Sequence, residues 1–349
     1  MLINAYSTRR GSCTHSFADP AERARWTAGD GPDQAFEDHL RDFEDYVEAA
    51  AAGSVTVGTD ALLRHVRDVQ RWYSFTIDAD DPDQLSDLTS WAKQANAVLV
   101  IDGAVLDGRG RPLLPGPHGD ASGEVPVVPE ARERGERVRQ WLASARSIPV
   151  PAAVPPVRAE SEVVPRSAEA VGLRILALVL VSDFASSLAG GNPLDPEAMQ
   201  WSFPQGFAAM SPAERDLFEQ RDEQQALQLT WRIESALELL WAIDRTTLEW
   251  PSHSCTTDQV KQLVLSAGET AFLEELELRP VGELLDEYEC LHSMGWALTE
   301  QQLYGGTVVP DTDGEVVAER LAAISWLTNG SLAWDDADTW DRLLQGPLA

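Results

Sequence analysis

"LTWRIESALELLWAID" (residues 229–244) reads as an almost continuous apolar helix that nevertheless carries an arginine and two glutamates. With successive residues 100° apart, Leu239, Ile243, Ala236, Leu229, Leu240, Ile233 and Leu237 form one apolar arc. Arg232 falls inside that arc, between Leu239 and Ile243. Glu234 points to the far side, beside Trp241; two residues apart on a helix, it and Arg232 cannot pair. An isolated charge among apolar side chains is costly, so Arg232 needs a carboxylate from another helix.

The same pattern recurs downstream. On 314–328, Arg320 lies between Leu327 and Ile324 in the middle of the apolar stripe, with Glu319 at its margin beside Trp326. On 280–302, His292 sits near the centre of an arc of Val281, Leu285, Tyr288 and Trp296, with Glu289 at the edge. The segment 167–189 is apolar nearly all round, and Arg174 has Val181 and Ala185 as neighbours. These placements predict an interhelical network in which Glu234, Glu289, Glu319, Asp183 and Asp335 are the candidate mates. Two roles follow for it. Structurally, the guanidinium groups fix helix register while their stems pack. Functionally, Arg232, His292, Arg320 and Glu289 would line a polar pocket suited to a carboxylate or phosphate.

Around this stretch the chain reads as helices only: roughly 167–189, 195–203, 211–219, 222–245, 256–267, 269–276, 280–302, 314–328 and 337–345. Ser211-Pro212 followed by Glu214 is a capping box with proline at the first helical position. The predicted fold class is an α+β N-terminal sheet domain followed by an all-α helical domain. The first domain spans 1–115, with strands at "LINAY", "SVTVG", "RWYSFTID", "AVLVIDG" and "RPLLP" and helices beginning near Gln34 and Pro82, packed on one face of the sheet. A Pro-rich linker with one charged helix spans 116–166, and the helical domain spans 167–349.

The 349 residues carry a formal net charge of −30. Residues 1–165 hold 26 acids and 17 bases, net −9; residues 166–349 hold 31 acids and 10 bases, net −21. Such a field repels phosphate backbones and anionic lipid, which speaks against nucleic acid and membrane as partners and favours a basic protein. Cys13, Cys255 and Cys290 are too few for a disulfide framework. The N-terminus "MLINAYSTRRGSC" lacks an apolar leader, and the run "ILALVLV" (175–181) is short for a bilayer, so a cytoplasmic location is expected.

No motif gives a reaction. His253, Cys255, Cys290 and His292 superficially make a zinc set, but Cys290 and His292 are two apart on one helix and diverge, so no metal is expected. "DADDPD" (78–83) and "DTDG" (311–314) read as solvated turns, and "WDDADT" (334–339) as a helix start capped by Asp335, Asp336 and Asp338. Phosphate loops, nucleophile elbows and metalloprotease signatures do not occur, and no cofactor or catalytic residue is implied.

The pieces "RSAEAVGLRILAL", "MSPAERDLFE", "LTWRIESALELLWAID", "LRPVGELLDEYECLHSMGWAL", "VVAERLAAISWL" and "WDDADT" keep an order and spacing that resembles the bacterial domain-of-unknown-function family 4272, over about residues 167–340. Trp231-Arg232-x-Glu234 and the late Trp-Asp-Asp-x-Asp-Thr are its more specific signals. Where the family pattern often sets a histidine before the tryptophan of "MGWAL", this chain has Gly295. The resemblance implies a helical fold and a bacterial cytoplasmic setting, and it implies no reaction. The sequence expectation is therefore a non-enzymatic acidic protein-binding or regulatory module, for instance one that neutralises a toxin. The alternatives are an enzyme or small-anion sensor built on the Arg/His/Glu pocket, and a nucleic-acid mimic.

Overall fold

The computed structural model describes residues 1–15, 21–27, 31–50, 57–115, 120–152, 154–305, 308–330 and 332–337. The described residues form two compact units, one within 1–133 together with 161–163, the other within 134–160 together with 164–337.

The first unit is built on an antiparallel sheet. Its strands are β1 (Leu2–Ser7), β2 (Ala21–Ala24), β5 (Arg71–Thr76), β6 (Ala97–Ile101) and β7 (Ala104–Leu106), in the order β2-β5-β1-β6-β7. A separate two-residue ladder pairs β3 (Trp26–Thr27) with β4 (Gly31–Pro32). Three helices complete the unit: α1 (Gln34–Ala50), α2 (Val57–Arg67) and α3 (Pro82–Ala95). Strand alternation sends Ile3, Ala5, Tyr73, Phe75 and Leu99 to one face, against Leu88, Trp91 and Ala95 of α3. It sends Tyr6, Val98 and Val105 to the other, against Phe36, Leu40 and Phe43 of α1 and Leu62 and Val66 of α2. Helices thus cover both faces, where the sequence suggested one; both sides of these strands are apolar, and each side needs its own cover.

Three local expectations also change. In "SVTVG", Val57 already begins α2; its β-branched residues gave a strand signal, but Leu62, Leu63 and Val66 behind it make a helical face. The part of that stretch before Val57 lies outside the described residues. "AVL" forms β7 instead, returned on β6 by the two-residue turn Asp102-Gly103, both at positive φ (47° and 80°), the twist such hairpins require. "RPLLP" makes one bridge, Leu106↔Pro112, because the Asp107 carboxylate collects the Arg109 and Arg111 amides into a tight turn and Pro112 has no N–H to continue a ladder.

The second unit is helical among its described residues: α4 (Pro129–Arg146, which enters it at Arg134), α5 (Ala168–Ala189), α6 (Pro196–Ser202), α7 (Pro204–Ala208), α8 (Pro212–Gln220), α9 (Glu223–Leu229), α10 (Arg232–Ala242), α11 (Thr257–Leu265), α12 (Glu269–Leu273), α13 (Val281–Tyr304), α14 (Gly314–Thr328) and α15 (Trp334–Ala337). The expected final helix at 337–345 lies almost wholly outside the described residues. The expected single helix 222–245 is two: the chain turns at Thr230 and Trp231, and the apolar run across the turn concealed the break.

The centre is α5, which α7, α9, α10, α11 and α12 contact. By length and composition alone α5 could cross a membrane, but 72% of its apolar window is buried inside this unit. Gly206 of α7 lets that helix approach α5: a Cβ there would stand 2.8 Å from Leu180 and 3.1 Å from Leu176. Gly295 does the same for α13, where a Cβ would meet Leu321 at 3.1 Å. Residues 134–160, which the sequence suggested as linker, are part of this unit, with Val138, Leu142 and Ile148 in its core.

Candidate functional site

The turn at Thr230–Trp231 makes Arg232 the first residue of α10, and both it and Glu234 reach α14, where Glu319 and Arg320 are adjacent. Two crossed ion pairs result. Arg232 Nη1 donates to Glu319 Oε1 at 2.8 Å, and the Ser235 hydroxyl donates to Glu319 Oε2 at 2.6 Å. Arg320 donates through Nε (3.1 Å) and Nη2 (3.0 Å) to Glu234 Oε2, and through Nη1 to the Glu249 carbonyl at 2.8 Å. The other Glu234 oxygen accepts the Cys255 amide. Glu234 is 0% exposed and Arg320 2%. A carboxylate in the first turn of α10 also meets the positive end of that helix's dipole. The Cys255 thiol is pushed up to about 12, by burial first and then by the Glu234 charge.

Arg174 takes a mate outside the predicted set. It pairs with Glu214, whose second oxygen accepts the Ser211 amide to complete the capping box of α8. Arg174 Nη1 donates to the Ala209 carbonyl at 3.1 Å, and its guanidinium lies 4.3 Å from the ring centre of Trp334. Burial lowers the pKa of this arginine, while the Glu214 charge works to raise it. The Trp334 ring also lies 6.0 Å from the Arg232 guanidinium and meets Trp326 edge-on at 5.5 Å, so one indole bridges two of the buried cations. Asp335 accepts the Ala213 amide at 3.2 Å. Asp183 pairs with Lys261. The expected capping role of Asp338 falls outside the described residues.

Glu289 and His292 belong to neither group. They hold the Pro-rich strap, residues 154–158, by its backbone. Glu289 Oε2 accepts the Val157 amide at 2.8 Å, and His292 Nε2 is 3.2 Å from the Pro155 carbonyl. Arg139 and Arg134 donate to the carbonyls of Val154 and Arg158. Burial raises the Glu289 carboxyl to about 7, against the opposing pull of the Val157 amide and of Arg139 and Arg134. The predicted residues therefore fall into three clusters: the α10–α14 pairs, the Arg174–Trp334 stack with Asp335, and the strap. Arg232 and Arg320, being buried and paired to carboxylates, present no guanidinium to an anion.

Two residues here were not in the predicted set: Glu214, because the capping box accounted for only one of its oxygens, and Glu238. The latter had a signal: Glu234 and Glu238 lie one turn apart on an apolar helix with no base at the matching spacing. All three cysteines are free thiols, and among the described residues no three His, Cys, Asp or Glu side chains converge as metal ligands.

A family profile matches residues 134–337, beginning where the helical unit begins and taking in the strap ahead of the first quoted motif. The chain belongs to the family described as Domain of unknown function (DUF4272). Within this DUF4272 segment, Trp231-Arg232-x-Glu234 supplies half of each crossed pair, and Trp334-Asp335 supplies the indole lid and the cap on Ala213. Neither the curated proteins nor the solved structures give a match to the chain.

Proposed function

We propose that the helical unit is a non-catalytic acidic binding module of the bacterial cytoplasm that docks a basic protein segment. A toxin with a basic surface would be one such partner. The observation that carries this reading is Trp201. It is 88% exposed on α6, a helix with no fully buried residue, and with Glu197, Gln200 and Pro204 it lines an open groove of about 440 Å³. Tryptophan is among the side chains enriched where protein contacts are anchored, and this one stands free in a groove. Glu197 in the groove wall favours a cationic cover, and the chain segment to which it belongs is acidic. Asp195, Glu197, Asp216, Glu219, Asp222 and Glu223 are exposed on the segment 195–223, against Arg215 and Arg221. An arginine entering beside Glu197 would stack on the indole face while its charge is met by the carboxylate.

The enzyme or anion-sensor alternative needed an open guanidinium at Arg232 or Arg320. Their burial and pairing weigh against it.

The test uses a nona-arginine peptide as probe. The difference in emission between the wild type and Trp201→Phe isolates the Trp201 signal on titration at low salt. We expect saturable quenching that weakens as salt rises and, by titration calorimetry with the same peptide, at least a tenfold loss of affinity in Trp201→Ala. No binding at any ionic strength, or binding indifferent to Trp201→Ala, overturns the proposal.

A further inference from the structure

Glu238 lies one turn after Glu234 on α10. It has no solvent exposure, and neither of its carboxylate oxygens has a hydrogen-bond partner. The charged and titratable groups that face it come from three helices: Glu234 on α10 itself, Glu287 and the Cys290 thiol on α13, and Arg320 on α14. Arg320 is the one cation in that set, and its three nitrogens already donate elsewhere, two to Glu234 and the third to the Glu249 carbonyl. Three carboxylates thus face one guanidinium, and Glu238 among them receives no donor. Glu234 has its cation and Glu287 is only partly buried, but an ionised Glu238 would be a charge in an apolar core with no donor.

We propose that the folded helical unit carries Glu238 as a neutral carboxylic acid, so that α10 stays seated only while that proton is bound, and alkaline pH loosens the core. The side-chain electrostatics agree. Burial first, and then the Glu287 charge, push the Glu238 carboxyl well above the ordinary range. Burial raises Glu287 to about 7, and the Cys290 thiol is raised by burial and then by the charges of Glu287 and Glu238. In the unfolded chain Glu238 is an ordinary acid, so unfolding near neutral pH breaks its O–H bond and releases one proton to solvent. A group whose folded pKa is raised stabilises fully below its unfolded pKa. That stability is lost as pH rises through the folded value. The device is a pH-sensitive latch that holds in acid and neutral solution and fails in base.

The test is the thermal midpoint of the full chain between pH 5 and 9, for the wild type, Glu238→Gln and Glu287→Gln. The wild-type midpoint should fall with pH. Glu238→Gln, which keeps the shape and removes the charge, should fall less and lie above the wild type at pH 9 by about 3 °C or more, the shift that one pKa unit gives a domain of this size. Glu287→Gln should move the same way by less. Glu289, itself raised to about 7, leaves a residual slope in both variants. Infrared spectra supply a readout independent of stability: the native wild type at pH 7 should show a protonated carboxyl band that Glu238→Gln diminishes. If Glu238→Gln does not fold, Glu287→Gln and the wild-type band decide. Parallel midpoint curves, or no protonated carboxyl band at pH 7, overturn the latch.

Discussion

The first turn of α10 and the turn after it carry the same residue type at the same depth, and the structure treats them in opposite ways. Glu234 meets two nitrogens of Arg320 and the Cys255 amide. Glu238, equally buried, meets none. Burial alone therefore does not decide how a carboxylate is held. What decides is whether the facing helix offers a donor at that height. Arg320 reaches the first turn and Glu287 faces the second, so one glutamate sits in an ion pair and the other has the setting proposed above for a bound proton.

The largest expected effect breaks the first of these arrangements. Arg320→Met leaves Glu234 and the Glu249 carbonyl without their donor in a dry core, and should destabilise the helical unit by about 3–5 kcal/mol in chemical denaturation at pH 7. A loss under about 1 kcal/mol would mean that Glu234 does not depend on its cation. Removing the indole lid comes next. Trp334→Ala uncovers Arg174 and Arg232 while leaving their carboxylates in place, and should cost about 3 kcal/mol. If Trp334→Phe recovers most of that loss, packing dominates over the tryptophan's stronger attraction for cations.

The strap offers a gentler version of the same contrast. Glu289 is partnered by the Val157 amide, yet its carboxyl is raised to about 7. Its folded value lies above its unfolded one, so the stability it contributes is complete in mild acid and declines as pH rises through 7. Glu289→Gln should flatten the melting curve above pH 7 and leave it unchanged near pH 4; a variant that is equally destabilised at both would assign Glu289 a purely packing role. The smallest effect belongs to the surface. Trp201→Ala should change stability by no more than about 0.5 kcal/mol, as expected of a side chain in water, while removing arginine-peptide binding.

These contrasts also show where sequence reasoning reaches its limit. A helical wheel reports on which side of its own helix a residue stands, so the inward turn of Arg174, Arg232 and Arg320 was legible. It does not report which residue of another helix stands opposite at the same height. Glu319 and Glu234 could be named as mates, but not assigned to Arg232 and Arg320. Glu214 was hidden behind a cap that used only half of its carboxylate. Glu289 and His292 looked like pocket residues because the partner they hold is backbone: proline-rich chain carries no periodic pattern to show that it is packed. In the sheet unit the Asp102-Gly103 turn carries a residue signature, yet the strand reading of "AVLVIDG" runs through it, because the apolar run before it sets the pattern. The start of α2 was not legible either, because Val57 has a strand's preference and a helix's neighbours. Even the break at Thr230–Trp231, which sets Arg232 in the first turn of α10, leaves no gap in the apolar run.

Trp334 has a consequence for synthesis. Arg174 emerges from the ribosome early and finds Glu214 soon afterward, but the ring that lies across it is nearly the last part of the unit to be made. A growing chain must carry two guanidinium groups without their cover until α15 emerges. Closure of the helical core therefore waits for α15 to emerge, and a ribosome stalled before residue 334 should hold a collapsed, protease-sensitive intermediate.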